Sequence, residues 1–176
     1  MASKAKIAIT NAFLELADEH DFEKITVTSL VEKCSISRQT FYYHFDDIDE
    51  MLKWAFKHET EKICNKQVEG EWKESAGLYI DFLNRYDKLL RSAAKSSNFI
   101  YVFGLLSESF SSYIHSYIEK KTKKPSASKS DLEFLVSCIS NGFAGLVIEE
   151  LKKNKSDYAS LLEKITKGLI LITSNK

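Results

Sequence analysis

Residues 25–52 read ITVTSLVEKCSISRQTFYYHFDDIDEML, and this stretch decides the fold. Leu30 and Val31 give the apolar side of one short helix, and Phe41 and Phe45 give that of another. Two short helices joined by a tight turn form a helix-turn-helix, whose second helix lies in the major groove of DNA. Ser37 is the expected N-cap of that second helix. The stretch therefore predicts a DNA-binding head.

The second helix carries side chains suited to both tasks of a DNA reader. Arg38 can pair with guanine and Gln39 with adenine, each through two hydrogen bonds. Tyr42, Tyr43 and His44 follow within one turn and can donate to phosphate oxygens, which fix the position of the protein on the duplex. Base reading is thus expected at the start of this helix and backbone contacts further along it.

Helical periodicity continues on both sides of this stretch. Ser3 is the expected cap of a first helix, the second helix should begin near Thr28, and the fourth should run from Asp46 to about Gly70. With only 6 glycines and 1 proline, long uninterrupted elements are expected, although one body helix should bend or break near Gly104. The predicted fold is all-α, with about nine helices. A three-helix head spans residues 1–46, and a helical body with about six helices spans residues 47–176.

Charge and composition narrow the class of protein. Residues 1–50 hold five Lys or Arg and ten Asp or Glu, but most of the acids lie outside residues 26–45, so the DNA-facing surface is expected to be mildly basic. No apolar run of membrane-span length and no signal-peptide core is evident, which predicts a cytoplasmic protein. Three widely spaced cysteines argue against a disulfide framework or a zinc cluster. No metal, nucleotide or catalytic motif is present, so neither a cofactor nor an enzyme is expected.

The run SRQTFYYHF at 37–45, followed by an acidic helix start, resembles the head of TetR-family regulators. The segments LKWAFKHETEKI at 52–63 and GFAGLV at 142–147 are similar to a branch that includes the dihydroxyacetone-kinase operon regulators of Gram-positive bacteria. The resemblance implies a homodimeric regulator that binds a palindromic operator in double-stranded DNA. A repressor released by an effector is the first hypothesis, and activation stays open, because the residues do not distinguish the two. The resemblance also implies that Thr28 contacts phosphate. The complete predicted DNA-binding set is Thr28, Ser37, Arg38, Gln39, Thr40, Tyr42, Tyr43 and His44.

The sequence departs from the family pattern at three places. Ser35 replaces a glycine of the turn, so a left-handed backbone there would carry strain. A second glycine, common after the first helix, is replaced by Asp21 or a neighbour. Ile48 stands where a phosphate-contacting lysine is common, which bears on DNA affinity. The missing lysine and the acidic head keep a second hypothesis open, namely an adaptor or coactivator of helix-turn-helix shape that acts through a protein partner.

The body supplies candidates for an effector site and for dimerisation. Its aromatic residues could line a pocket for a small apolar ligand, could form plain core, or could leave regulation to a protein effector. The candidate pocket residues are Trp54, His58, Tyr79, Phe82, Tyr86, Phe103, Phe110 and Tyr113. The last two helices each carry an apolar stripe, which suits a four-helix interface between two copies. The candidate interface residues are Leu135, Ile139, Gly142, Phe143, Leu146, Leu162, Ile165 and Leu169.

Overall fold

A computed structural model describes residues 4–66, 72–95, 99–121, 128–153 and 155–173. Within these ranges the chain forms eight α-helices and one short 3₁₀ helix (Phe22–Lys24), with no strand. The helices are α1 (Lys4–Glu19), α2 (Val27–Cys34), α3 (Arg38–His44), α4 (Ile48–Lys66), α5 (Trp72–Lys95), α6 (Phe99–Lys121), α7 (Lys129–Leu151) and α8 (Tyr158–Thr173). The predicted all-α class is confirmed. The body has five described helices instead of about six, because α6 passes through Gly104 without a break.

The head is built as its sequence predicts, with bounds shifted by one or two residues. Thr26 caps α2 and shares a capping box with Ser29, so α2 begins at Val27 rather than at Thr28. The α2–α3 turn passes through Ser35 at φ 53° and ψ 42°, the left-handed conformation expected there. The predicted Ser3 cap lies outside the described residues, as does the predicted end of α4 near Gly70.

The core runs without interruption from the head into the body. Phe13, Leu30 and Phe41 are fully buried in the head, and α4 joins this cluster to the body through Phe56. The Phe56 ring meets the ring of Tyr86 on α5 edge-on, at 5.1 Å between centroids. Burial of such aromatic side chains stabilises the fold by roughly 1.5–3 kcal/mol each. Helix α4 is therefore fixed to both parts of the chain.

The acidic run at the end of α1 faces the body and a neighbouring helix. Asp18 pairs with Lys88 of α5 at 3.2 Å, and Glu15 pairs with Lys33 of α2 at 3.3 Å. Beyond α1, the backbone N–H of Phe22 donates to Ser92 Oγ at 2.8 Å. Exposed ion pairs of this kind contribute little stability each. Asp18 therefore joins the head to the body, whereas Glu15 joins two helices within the head.

Helix α7 is unusually apolar for its position. In the described part of the chain it is the one helix long and apolar enough to cross a membrane, with a mean hydropathy of 1.4 over its best window, of which 33% is buried. Its inner side packs on α6, and Phe143 stacks on Phe110 at 3.8 Å between ring centroids. Its outer side leaves large apolar side chains in solvent, and this surface is described below.

Candidate nucleic-acid interface

Helix α3 is short and depends on its cap. Ser37 Oγ accepts from the backbone N–H of Thr40 at 3.0 Å, and the Thr40 hydroxyl lies 2.9 Å from the same oxygen. The predicted Ser37 cap is therefore present. A helix of seven residues forms too few internal hydrogen bonds to be stable alone, so the cap and the buried rings hold it in place. Ser37 and Thr40 thus have a structural role whatever else they contact.

The two sides of α3 are sharply different. Phe41 and Phe45 are 0% and 1% exposed and anchor the helix in the head core. On the opposite side Tyr42 is 54% and Tyr43 84% exposed, and Arg38 and Gln39 are exposed as well. Of the other four predicted residues, Ser37 is exposed, and Thr28, Thr40 and His44 are half-buried. We call recognition surface the exposed side of α2 and α3 that carries Arg38, Gln39, Tyr42 and Tyr43, with Thr28 beside Arg38.

One contact on the recognition surface was not expected from the sequence. Arg38 Nη2 donates to Thr28 Oγ1 at 2.5 Å, linking the start of α3 to the start of α2. The pair lies ten residues apart and on different helices, so no periodicity indicates it. A guanidinium has five N–H donors, and this bond leaves most of them for a base or a phosphate. Thr28 therefore holds the Arg38 side chain at the surface.

The charge of the recognition surface rests on Arg38 more than the sequence suggested. Lys33 is drawn toward Glu15 and Glu19 of α1, so its charge is compensated within the head. Among the described residues, no carboxylate lies within ion-pair distance of Arg38. The uncompensated positive charge of this surface therefore lies where base reading is expected.

The acids after α3 cap the next helix. Asp47 Oδ1 accepts from the backbone N–H of Glu50 at 2.7 Å, and Glu50 Oε2 accepts from that of Asp46 at 2.5 Å. Carboxylates at a helix N-terminus are favourable because the helix dipole is positive there. Ile48 is half-buried and packs on the core, so it fixes the start of α4 and offers no phosphate contact.

Most of the candidate pocket residues prove to be core. Tyr79, Phe110 and Tyr113 are completely buried, with the Tyr79 ring 5.3 Å from Phe110 and 5.1 Å from Tyr113. Phe82 and Tyr86 continue the cluster toward α4, while Phe103 is half-buried and packs against it. These rings fill the space between the helices. The structure therefore places this cluster in the core and not around a cavity.

Trp54 and His58 lie at the junction of head and body. Their rings stack at 4.8 Å, and Lys6 of α1 places its ammonium 4.6 Å from the Phe45 ring centroid and 5.6 Å from that of Trp54. Burial lowers the pKa of His58, and the nearby Lys62 lowers it further. The cavity beside Trp54 and His58 measures only about 10 Å³. These two side chains therefore pack α4 against α1 and do not line a ligand site.

The candidate interface residues fall into two groups. Phe143 and Leu162 are 1% and 2% exposed and lie in the core of their own chain. Leu135, Gly142 and Leu146 lie on the exposed side of α7. Ile139 and Ile165 are half-buried against the core, and the side chain of Leu169 lies outside the described residues.

Comparison with known proteins places the head in context. Residues 9–54 match the family model for bacterial regulatory proteins of the tetR family. The chain is 26% identical over 141 residues to the HTH-type dhaKLM operon transcriptional activator DhaS of Lactococcus lactis subsp. lactis (strain IL1403), covering 77% of this chain and 72% of that protein.

Two solved structures share the fold. A dihydroxyacetone kinase operon activator DhaS superposes with a TM-score of 0.75 at 17% identity, with 97% of each chain covered. The TetR family repressor AlkX from Dietzia sp. strain DQ12-45-1b, implicated in biodegradation of n-alkanes, gives a TM-score of 0.52 at 17% identity, covering 96% of this chain and 94% of that one. At such identities the structural likeness shows the fold alone.

Proposed function

We propose, from the premise that this chain is a DNA-binding transcription regulator with a TetR-family head, that two copies bind one palindromic operator in the cytoplasm. Each copy inserts α3 into the major groove of one half-site. The observation that carries the proposal is the division of α3, which buries Phe41 and Phe45 and presents Arg38, Gln39 and Tyr42 to solvent. Pairing of two heads matches the two-fold symmetry of such an operator.

The recognition surface supports a division of labour among its residues. Arg38 and Gln39 read base edges, Arg38 from the position that Thr28 gives it. Tyr42, Tyr43 and His44 contact the phosphate backbone, and Ser37 and Thr40 add hydroxyls at the capped end of α3. Replacement of Gln39 by Ala is expected to relax base selectivity by about 1–3 kcal/mol at one position per half-site.

The outer side of α7 supports dimerisation through that helix. Phe134, Leu135 and Leu146 are 68%, 51% and 44% exposed, and such contiguous apolar surface marks protein contacts. Gly142 is exposed between them, where a second helix could approach closely. We propose that α7 of one copy packs here against α7 of the other, with α8 beside it.

A pair of variants tests the interface without disturbing the core. Leu146→Glu should give monomers that keep their helical content and lose tight operator binding, whereas Asn84→Glu on the exposed side of α5 should leave the dimer intact. Sedimentation measures both outcomes. Cys138 offers an independent readout, since it is the exposed cysteine of α7 while Cys34 and Cys64 are half-buried. A short thiol-specific cross-linker should join two wild-type chains through Cys138, and persistence of the Leu146→Glu dimer would move the interface elsewhere.

The DhaS relative of Lactococcus lactis supports activation of a target operon. It is named a transcriptional activator, and the match covers 77% of this chain. We propose that this chain likewise activates transcription. A reporter fused to the promoter of the operon should lose expression when the regulator is deleted, and a gain of expression would establish repression instead.

The DNA-binding test uses a gel shift on DNA upstream of the chain's own operon. Binding should weaken steeply as salt rises, because phosphate contacts release counterions from the DNA. An unrelated duplex of equal length is the control and should bind far more weakly. If neither duplex is bound at low salt while the dimer persists, the adaptor hypothesis replaces this one.

A further inference from the structure

Helices α4 and α6 enclose an open cleft of about 540 Å³ on the outside of the body. Its size is typical of small-molecule sites, and it lies on the outer side of the aromatic core, whose Phe56 forms part of its lining. Tyr101 of α6 donates to the carbonyl of Asp49 at 2.5 Å, and the Cys64 thiol faces the carbonyl of Ser112 further along. The two helices thus run side by side in the same direction, and the cleft begins beside the head.

The floor of the cleft is a chain of buried hydroxyl groups with a fixed direction. Thr60 donates its only hydroxyl proton to the carbonyl of Phe56 at 2.8 Å, so it must accept from Ser109, whose oxygen lies 2.7 Å away. Ser109 then has no proton left for Tyr79, so the Tyr79 hydroxyl donates to it at 3.0 Å. Thr60 and Ser109 therefore offer only lone pairs to a ligand, which must supply the donors.

The walls of the cleft carry charges that lack opposite partners. Lys53 and Lys57 lie one turn apart on α4, toward the head, and within the described ranges no carboxylate lies within 4.0 Å of either ammonium. Glu61 and Glu108 line the cleft as well and pair with no described cation. A second cleft, of about 580 Å³, lies between the end of α1 and α5. Charged side chains on its opposite walls already form an ion pair, Lys88 with Asp18.

We propose that the α4–α6 cleft binds a small hydroxylated organic anion. Lys53 and Lys57 hold the anionic group, whether phosphate or carboxylate, through charge-assisted hydrogen bonds. The oxygens of Thr60 and Ser109 accept hydrogen bonds from the ligand's hydroxyl groups, and the Glu108 carboxylate accepts from those nearer the rim. This ligand class differs from the apolar effector expected from the aromatic content of the body.

The position of the cleft gives the ligand a regulatory consequence, which rests on the proposed function. A bound ligand contacts both α4 and α6, and α4 begins directly after the recognition helix. A ligand that binds one arrangement of α4 and α6 better than another shifts the population toward that arrangement. Operator affinity should therefore change when the cleft is filled.

Calorimetric titration of the full chain without DNA tests binding separately from regulation. The probes are glucose 6-phosphate and gluconate at millimolar concentrations, with glucose and inorganic phosphate as fragments. At least one of the two hydroxylated anions should bind, and more tightly than either fragment. Lys57→Gln and Lys53→Gln should each weaken that binding about tenfold, the usual effect of losing one charge-assisted hydrogen bond. Lys62→Gln is the matched control on α4, because Lys62 pairs with Glu59 outside the cleft.

The outcomes separate the site from the regulator. If neither anion binds the wild-type chain, or if the Lys57→Gln and Lys53→Gln variants bind as tightly as Lys62→Gln, the proposed site is refuted. Inorganic phosphate binding as tightly as glucose 6-phosphate would refute the role of the hydroxyl floor. Operator binding without ligand is measured independently by gel shift, so loss of DNA binding and loss of ligand binding cannot be confused.

Discussion

Asp87 of α5 holds the turn between α7 and α8, and its replacement by Ala should be strongly destabilising. Its carboxylate accepts from Tyr158 at 2.5 Å, from Ser156 at 2.7 Å and from Arg91 at 3.2 Å. The Tyr158 side chain is only 1% exposed and lies at the first residue of α8. The network thus fixes where α8 begins and how it packs on α5.

The expected magnitude follows from the partners that lose their acceptor. A hydrogen bond to a charged group contributes about 1.5–3 kcal/mol, so three such partners set an upper limit of about 9 kcal/mol. Arg91 keeps other acceptors, the carbonyls of Leu151 and Lys153, and water can reach Ser156. Most of the lost stability therefore comes from the buried Tyr158 hydroxyl, which is left without its acceptor. We expect Asp87→Ala to lower the free energy of unfolding by about 3 kcal/mol.

The loss of stability caused by Asp87→Ala should depend on pH in a defined direction. Partial burial would raise the pKa of Asp87, but the hydrogen bonds from Tyr158 and Ser156 and the Arg91 charge outweigh it and lower the pKa below its ordinary value. A lowered folded-state pKa stabilises the protein above the unfolded pKa, about 3.9 for Asp, and this contribution is lost as pH falls through the folded value. The difference between wild type and Asp87→Ala should therefore be full near neutral pH and shrink in acid.

Urea unfolding at a fixed chain concentration measures both effects, because dimerisation makes the midpoint concentration-dependent. Asp81→Ala, at an exposed carboxylate on the same helix, is the matched control and should change stability by less than about 0.5 kcal/mol. If Asp87→Ala cost no more than Asp81→Ala, or if its cost grew in acid, the network would not have the role assigned to it.

Three further predictions concern the head. Ser35→Gly should raise the free energy of unfolding by about 0.5–1 kcal/mol in chemical denaturation, because glycine adopts the left-handed conformation without strain. A lower free energy of unfolding would show that Ser35 is unstrained. If Thr28 positions Arg38, Thr28→Val should weaken base selectivity in binding-site selection by about 1 kcal/mol, while Thr28→Ser should keep the selectivity. Equal selectivity in both variants would contradict this positioning role. Tyr42→Phe should weaken binding to the operator and to unrelated duplexes equally, by about 1 kcal/mol in gel shifts, because a phosphate contact does not depend on base sequence. A changed base preference would show that Tyr42 reads bases.

The sequence alone predicted the features that depend on local chemistry. Helical periodicity and the Ser37 cap depend on residues a few positions apart, so they can be predicted from the sequence itself, whereas the left-handed turn at Ser35 was expected only from the resemblance to the family. The anchors Phe41 and Phe45 and the outward Arg38 follow from the same spacing on one helix. The position of the DNA-binding head therefore follows from the sequence.

Only the tertiary structure decided what distant residues do together. An aromatic stripe on a helix has the same spacing whether it lines a pocket or fills a core, and the structure packs the rings of Tyr79, Phe110 and Phe143 against one another in the core. The Thr28–Arg38 bond and the hydroxyl floor of Thr60 and Ser109 join separate helices, the latter across 49 positions. Such contacts leave no periodic signal, because they are set by how helices pack and not by the order of residues along one of them.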